Sequence, residues 1–398
     1  MEHRLITAME AALGWTGSGP LGGDFARGTI DDPALTKRIL TPNRLLDLAM
    51  RRSLSNPQFR CFQSGNELHP NAYLTDEVTL RGQSNRMVNT HRLGALLRQG
   101  ATVVLDQANT FDPTLEATCR ALQWWSRERV QANAYLTTND AAGFRLHWDD
   151  HDVLIVQLAG EKQWEVRGAS RTAPLYRDAD RNNEPSDEIV WTGTMRADDV
   201  MHIPRGHWHQ ATRNGNGSGK SLHITFGFAK RTGASWLSWL ADWSRDQEIF
   251  RHDLDRTGQT GTATLTEAAA DLIRQRGPAD FLTAREQETG IPRHVPYLDI
   301  FSPLEAVACI THFPPHITER GDTVEVVAAG KKLTFRAKAL PALRLLLSGH
   351  PIHLPKAAAE VGAEVEEVAE ILTQEELCAV LTPELSSGYT GLVTNAAP

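Results

Sequence analysis

Between Val130 and Phe228 the chain breaks into short β-type runs separated by turn-forming residues, and no other feature constrains its fold as much. Val130 to Thr137 (VQANAYLT), Val153 to Leu158 (VLIVQL), Lys162 to Arg167 (KQWEVR), Val200 to Ile203 and Ser221 to Phe228 (SLHITFGF) each read as strands. Ala159-Gly160-Glu161 reads as a tight turn that sends KQWEVR back antiparallel. Arg177 to Ser186 and Asn214 to Gly219 are polar and turn-rich, as surface loops are. Short antiparallel strands at this density predict a sandwich or barrel.

The flanks are different. Asn43 to Ser53 and His91 to Gln99 read as helices, the second stopped by Gly100, and Ala101 to Leu105 reads as a strand. Pro113 suits a first helical turn, and Phe111, Leu115, Cys119, Leu122 and Trp125 then recur at spacings of three and four. After Lys230, Trp236, Leu237, Trp239, Leu240 and Trp243 crowd one short helix, and Thr264 to Arg276 and Pro278 to Glu288 predict two more. Such an apolar bundle suits a homodimer interface or docking onto its own β domain. From Ile317, strand-like VEVV and KKLTF precede Leu340 to Leu347 and a helical stretch from Lys356 to Leu372, which together suggest a winged-helix-like module. A chain of 398 residues exceeds what one core usually serves. The expected division is a catalytic β domain over 1–232, a helical domain over 233–315 and a winged-helix-like domain over 316–398.

Several function classes are disfavoured. The net charge is −8, a poor surface for nucleic acid, whose phosphates need cations. A basic protein or peptide partner is compatible with it. Acids outnumber bases between Asp322 and Glu384, so the terminal module reads as a poor phosphate binder. The four cysteines, Cys61, Cys119, Cys309 and Cys378, have no paired spacing, which argues against a disulfide framework or a cysteine zinc site. No apolar run reaches membrane-spanning length and the start lacks a signal-peptide pattern, so a cytoplasmic location is expected.

The chemistry concentrates in two segments. In extended backbone, residues two apart project to one face, so His147 and Asp149 of RLHWDD reach one point. Further on, DVMHIPRGHWH ends a strand in a Pro-Arg-Gly turn that aims a following histidine, His209, back towards a barrel mouth. Two imidazoles and one carboxylate on one side of a metal leave other positions open, as non-haem Fe(II) needs when a co-substrate and O2 bind together. A three-ligand zinc site instead closes around one water.

NAYLT (Asn133 to Thr137), HWD (His147 to Asp149), VLIVQLAGEKQWEV (Val153 to Val166), IPRGHWHQA (Ile203 to Ala211) and SLHIT (Ser221 to Thr225) occur in that order. Together they resemble the JmjC-domain ribosomal oxygenases of the cupin superfamily, Fe(II)- and 2-oxoglutarate-dependent hydroxylases of Arg or His side chains in ribosomal proteins. The motifs span roughly residues 130 to 230, and the later segments are similar to that family's dimerisation and C-terminal modules. The resemblance implies an α+β fold: a double-stranded β-helix (jelly-roll) core with helical N-terminal decoration, a helical bundle and the winged-helix-like end. It makes His147, Asp149 and His209 the ligands of Fe(II), with 2-oxoglutarate and O2 as co-substrates. Lys162 falls where the family pairs the distal carboxylate of 2-oxoglutarate; a buried lysine without an anion would be costly. Asn133 and Thr225 match positions near the co-substrate, and Tyr135 a position near the target side chain. Gly227 stands where the histidine-modifying members carry serine, which argues against a histidine target, and Asp140 is a candidate anchor for a cationic side chain such as arginine. For Asn133, Tyr135, Thr225 and Asp140 a purely structural role is the competing reading.

Asp198 replaces the family's usual glycine before Asp199, and aspartate tolerates a left-handed turn. His202 reads as packing, His151 and His223 as ordinary polar or core histidines, and His207 as a second candidate beside His209. Three rival functions stay open: the same chemistry on a peptide natural product or another non-ribosomal substrate, a non-catalytic cupin carrying a nucleic-acid-binding winged helix, and a metal-dependent cupin enzyme that does without 2-oxoglutarate.

Overall fold

A computed structural model describes residues 1–176, 184–213, 215–229, 231–257, 261–290, 293–297, 300–301 and 303–393. Residues 177–183 of the expected loop, Asn214 and Lys230 lie outside the described residues. The N-terminal part comprises α1 (Arg4–Leu13), β1 (Ala26–Thr29), α2 (Pro33–Ile39), α3 (Pro42–Arg51), β2 (Phe59–Gln63), β3 (Asn66–Glu67), a hairpin of β4 (Leu74–Val78) and β5 (Ser84–Val88), and α4 (Thr90–Gln99). There follow β6 (Thr102–Leu105), α5 (Pro113–Ser126), β7 (Val130–Thr138), β8 (Asp152–Ala169), β9 (Ile189–Arg196), β10 (Asp199–Ile203), β11 (His207–Thr212) and β12 (Lys220–Phe228).

Local chemistry sets the ends of these helices. Asp112 caps α5 by accepting the amides of Thr114 and Leu115 at 2.9 and 3.1 Å, with Pro113 in the first turn. Asn89 caps α4, and Gly100 ends it with φ 88°. Asp198 takes φ 78° at the turn into β10, the left-handed turn expected of it.

The core is a double-stranded β-helix. One layer runs β1-β10-β8-β12-β7-β6-β2-β3, and β11 and β9 flank the second half of β8 to form the facing layer. The expected hairpin at Ala159-Gly160-Glu161 is absent. Instead β8 continues unbroken through Gly160, its first half pairing with β10 and β12 and its second half with β9 and β11. Gly160 makes this possible, because at φ +65° a Cβ there would lie 1.8 Å from the Lys220 carbonyl oxygen. The residue therefore kinks a strand from one layer to the other, as a bulge does, and does not reverse the chain.

Alternation sorts the side chains of the core strands. Leu154, Val156, Leu158, Val200, Leu222, Ile224 and Phe226 face the N-terminal helices in the main core, whereas Val153, Ile155, Trp164, Val166, Met201 and Ile203 pack inside the barrel. His202 lies with the outer set, fully buried against Trp15 and paired with Asp152 at 3.3 Å, the packing role read from the sequence.

Beyond the barrel lie α6 (Gly233–Ser244), α7 (Thr262–Gln275) and α8 (Pro278–Glu286), then β13 (Ala306–Cys309), β14 (His316–Arg320), β15 (Thr323–Ala328), β16 (Lys331–Arg336), α9 (Leu340–Leu346), β17 (Ile352–His353), α10 (Leu354–Val361), α11 (Glu364–Gln374), β18 (Cys378–Val380) and α12 (Pro383–Tyr389). The expected helix from Lys356 to Leu372 is two, broken at Gly362 with φ 104°. β13 pairs with β17 and β18, so Ala306–Cys309 shares a sheet with strands of the terminal segment. That pairing is made entirely with strands later in the chain, which a local reading of 306–309 does not reveal. The terminal module returns to the N-terminal one, where the Arg4 amide donates to the Leu392 carbonyl at 2.8 Å and α12 packs on α5. The four cysteines are unpaired and buried. No helix among the described residues is long and apolar enough to cross a membrane.

Candidate active site

His147, Asp149 and His209 converge: one ligand atom from each lies within 4.8 Å of the others. Backbone pairing brings them together. The His147 amide donates to the His209 carbonyl at 3.1 Å and the His209 amide to the His147 carbonyl at 2.7 Å, which clamps the segment before β8 onto β11. The Gly206 amide donates to the Asp149 carbonyl at 2.9 Å, so the Pro-Arg-Gly turn also holds the carboxylate's backbone.

The histidine tautomers follow from their partners. Nδ1 of His147 is 2.8 Å from the Arg145 carbonyl and Nδ1 of His209 is 3.1 Å from the His207 carbonyl. A carbonyl only accepts, so each Nδ1 carries the proton and each Nε2 presents a lone pair. Burial, then the neighbouring His147, push the His209 imidazole down to about 4, so it stays neutral at physiological pH. Burial disfavours the Asp149 carboxylate, but His209, His151 and His147 outweigh it and hold the group below its ordinary range. The Tyr176 hydroxyl donates to Asp149 Oδ1 at 3.3 Å, which orients the carboxylate. His207 is outside the cluster.

Deeper in the barrel, Lys162 is 1 % exposed, and its Nζ donates to Thr137 Oγ1 at 3.1 Å. Burial and the nearby Arg213 guanidinium push its ammonium down to about 7. Thr137, which the sequence reading passed over as a site residue, pairs in turn with Thr102 Oγ1 at 3.0 Å. The inner face continues along β7 and β12, where Asn133 is opposite Thr225 and Tyr135 opposite His223. Tyr135 and His223 stack at 4.8 Å, and Trp164 meets His223 edge-on at 5.3 Å. Asn133 also accepts the Gln107 amide at 2.9 Å, so it ties β7 to the preceding loop. His223 Nδ1, Trp164 Nε1 and Gln157 Oε1 are buried in this interior without a hydrogen-bond partner among the described residues. The Trp164 N–H beside a buried ammonium fits an anionic guest, whereas Gln157 Oε1 only accepts and fits a donor such as water. His223 and Thr137 were detectable in principle, since each alternates in phase with Thr225 or Tyr135 on its own strand.

Asp140 is not part of this interior. It is exposed, and its Oδ1 accepts the Gly217 amide at 3.2 Å, bracing the 213–219 loop. Its position just past β7 places it beyond the Thr137 end of the strand.

Residues 105–235 match the JmjC domain family model. Over 131 residues the chain is 37% identical to the bifunctional lysine-specific demethylase and histidyl-hydroxylase NO66 of Dictyostelium discoideum, covering 32% of this chain and 25% of that protein. It is 32% identical over 147 residues to ribosomal oxygenase 2 of Bos taurus, covering 36% of this chain and 30% of that one. The matched region thus spans between a quarter and a third of these two relatives. The fold is shared more widely. The ribosomal oxygenase YcfD of Escherichia coli superposes with a TM-score of 0.55 over 95% of this chain and 99% of its own, at 18% identity. A second YcfD structure, in complex with cobalt and 2-oxoglutarate, gives 0.54 over 90% of this chain and 95% of its own, at 15% identity. By its domain match and its architecture, the chain carries a segment matching the JmjC domain over residues 105–235, within a fold shared with the YcfD structures.

Proposed function

We propose that the chain is an Fe(II)- and 2-oxoglutarate-dependent oxygenase that hydroxylates an Arg or His side chain of a protein, with a ribosomal protein as the target class. The observation that carries this reading is the pairing of two sites in one barrel: a His-Asp-His cluster whose two imidazoles are fixed through Nδ1, and a buried lysine whose charged neighbour among the described residues is the Arg213 guanidinium. The donor set fits a first-row divalent ion that keeps open positions. The lysine and the Trp164 N–H fit a small diacid.

In this reading His147, Asp149 and His209 hold the metal, and the Arg145 and His207 carbonyls fix the two imidazoles. Lys162 and Thr137 bind the distal carboxylate of 2-oxoglutarate, while Asn133, Thr225 and His223 line the space between. Tyr135, half-buried between His223 and Phe144, shapes the wall. With iron bound, 2-oxoglutarate and O2 supply the oxidising power that inserts oxygen into a C–H bond. Asp140, as a loop brace, lends no support to an arginine target. The helical segment exposes Leu237, Ile273 and Leu282, which supports a second copy of the chain as its partner.

The test has two parts. The purified chain with Fe(II) should convert 2-oxoglutarate to succinate, and His209→Ala should abolish that conversion. Mass spectrometry of ribosomal proteins from cells with and without the gene should then show one protein losing the mass of a single oxygen atom. Succinate formation that survives His209→Ala would refute the metal assignment.

A further inference from the structure

A cleft of about 890 Å³ opens between the barrel, the helical segment and the terminal module. At one end its wall is Gln131, Asp150, His151 and Gly227. Asp150 and His151 directly follow Asp149, and Gly227 lies two residues beyond Thr225 on the same strand, opposite Gln131. This end is therefore the mouth of the barrel.

The far end has a different character. Arg120 and Arg129, from α5 and the start of β7, and Arg293 meet around His312. Burial and then Arg129, Arg120 and Arg293 push that imidazole down to about 4, so it is neutral and adds no charge. One carboxylate, Glu116, answers the three guanidiniums, and it is already engaged by Arg120 at 2.6 Å and His294 at 2.9 Å. Arg120 has a second partner in the Tyr389 hydroxyl at 2.6 Å. The partners that the structure gives Arg129 and Arg293 are neutral acceptors, His312 Nδ1 at 2.9 Å and the Asn109 carbonyl at 3.1 Å. The other acids along the cleft do not balance them: Glu375 and Glu376 pair with Lys331, Glu288 is exposed, and Asp150 is at the barrel mouth beside His151. Thr110 Oγ1, which also lines the cleft, is buried with no hydrogen-bond partner among the described residues. A surplus of positive charge that runs from buried Arg120 through half-buried Arg129 to exposed Arg293, with a spare hydroxyl in a concave wall, is an anion cradle.

We propose that the floor of this cleft binds an anionic group, a carboxylate or phosphate, through Arg129 and Arg293 with Arg120 and Thr110 beside them. The site is separate from the lysine inside the barrel and does not depend on the metal. Because the same cavity reaches the barrel mouth, a polypeptide that places an acidic group on this floor has its neighbouring residues beside the His-Asp-His cluster.

The test is titration calorimetry on the full chain with two probes, inorganic phosphate and an acetylated pentaglutamate peptide. Wild type should bind at least one. Arg129→Gln and Arg293→Gln should each weaken that binding about tenfold, the loss of one charge-assisted contact, and Arg129→Lys should restore part of it. His147→Ala should leave it unchanged, which keeps this result independent of the oxygenase reading. Tighter binding of the peptide assigns the site to a polypeptide's carboxylates; tighter binding of phosphate assigns it to a free ion. No binding of either probe by wild type, or wild-type affinity retained in both glutamine variants, overturns the proposal.

Discussion

Replacing Lys162 with methionine separates the cost of the buried ammonium from its use. Burial pushes that ammonium from its ordinary 10.5 down to about 7. At 1.36 kcal/mol per pH unit this is on the order of 5 kcal/mol charged against the folded chain when nothing anionic is bound. Below pH 7 the folded and unfolded chains both hold the proton, so the cost is present in full. Between pH 7 and 10.5 the unfolded chain binds more protons, so wild-type stability rises with pH across that window. Methionine fills similar space without charge, and Thr137 keeps its hydroxyl partner Thr102, so no orphan is created. Allowing for relaxation around the lysine, urea unfolding at pH 7 should show Lys162→Met more stable than wild type by ~2 kcal/mol, with the rise above pH 7 lost. The same variant should need at least about 150-fold more 2-oxoglutarate for half-maximal succinate formation, since removing one partner of a buried ion pair costs ~3–5 kcal/mol. A variant no more stable at pH 7, with an unaltered 2-oxoglutarate dependence, would show that this lysine neither bears a cost nor meets the co-substrate.

Other substitutions probe the frame. Thr137→Val should raise the half-saturating 2-oxoglutarate concentration by about tenfold, the value of one hydrogen bond to a charged group, with the maximal rate little changed; initial-rate kinetics read both. Gly160→Ala should destabilise the chain by more than ~2 kcal/mol in denaturant titration, since it combines a left-handed backbone with a Cβ driven onto the Lys220 carbonyl. Asp112→Ala should cost ~2–3 kcal/mol by the same measurement, because it removes the α5 cap and strands Arg44, 2.6 Å away.

The metal cluster was legible because its determinants are local: a two-residue spacing on extended backbone, and a Pro-Arg-Gly turn that returns the chain. Lys162 was legible only beside that cluster, since a lysine after a glycine reads as solvated until a second charge is expected near it. What escaped the sequence depends on long-range pairing. Gly160 has the composition of a turn, and only the strands on either side of β8 decide that it kinks instead of reversing. Thr137 and His223 look like ordinary strand residues until the register aligns them with Lys162 and Tyr135. Asp140 Oδ1 accepts the Gly217 amide across a loop that a linear reading does not fold. The short strand at 306–309 carries no boundary signal, because its partners lie later in the chain.

The unbroken course of β8 has a consequence for selectivity. Lys162 and Val166, the residue facing His209 across the sheet, sit on one strand that is hydrogen-bonded along both edges. The interval between the lysine and the histidine cluster is therefore built into a braced rod and cannot stretch to suit a guest. On the reading proposed above, keto diacids one carbon shorter or longer than 2-oxoglutarate would meet either the metal or the ammonium, but not both, and the barrel acts as a gauge of chain length.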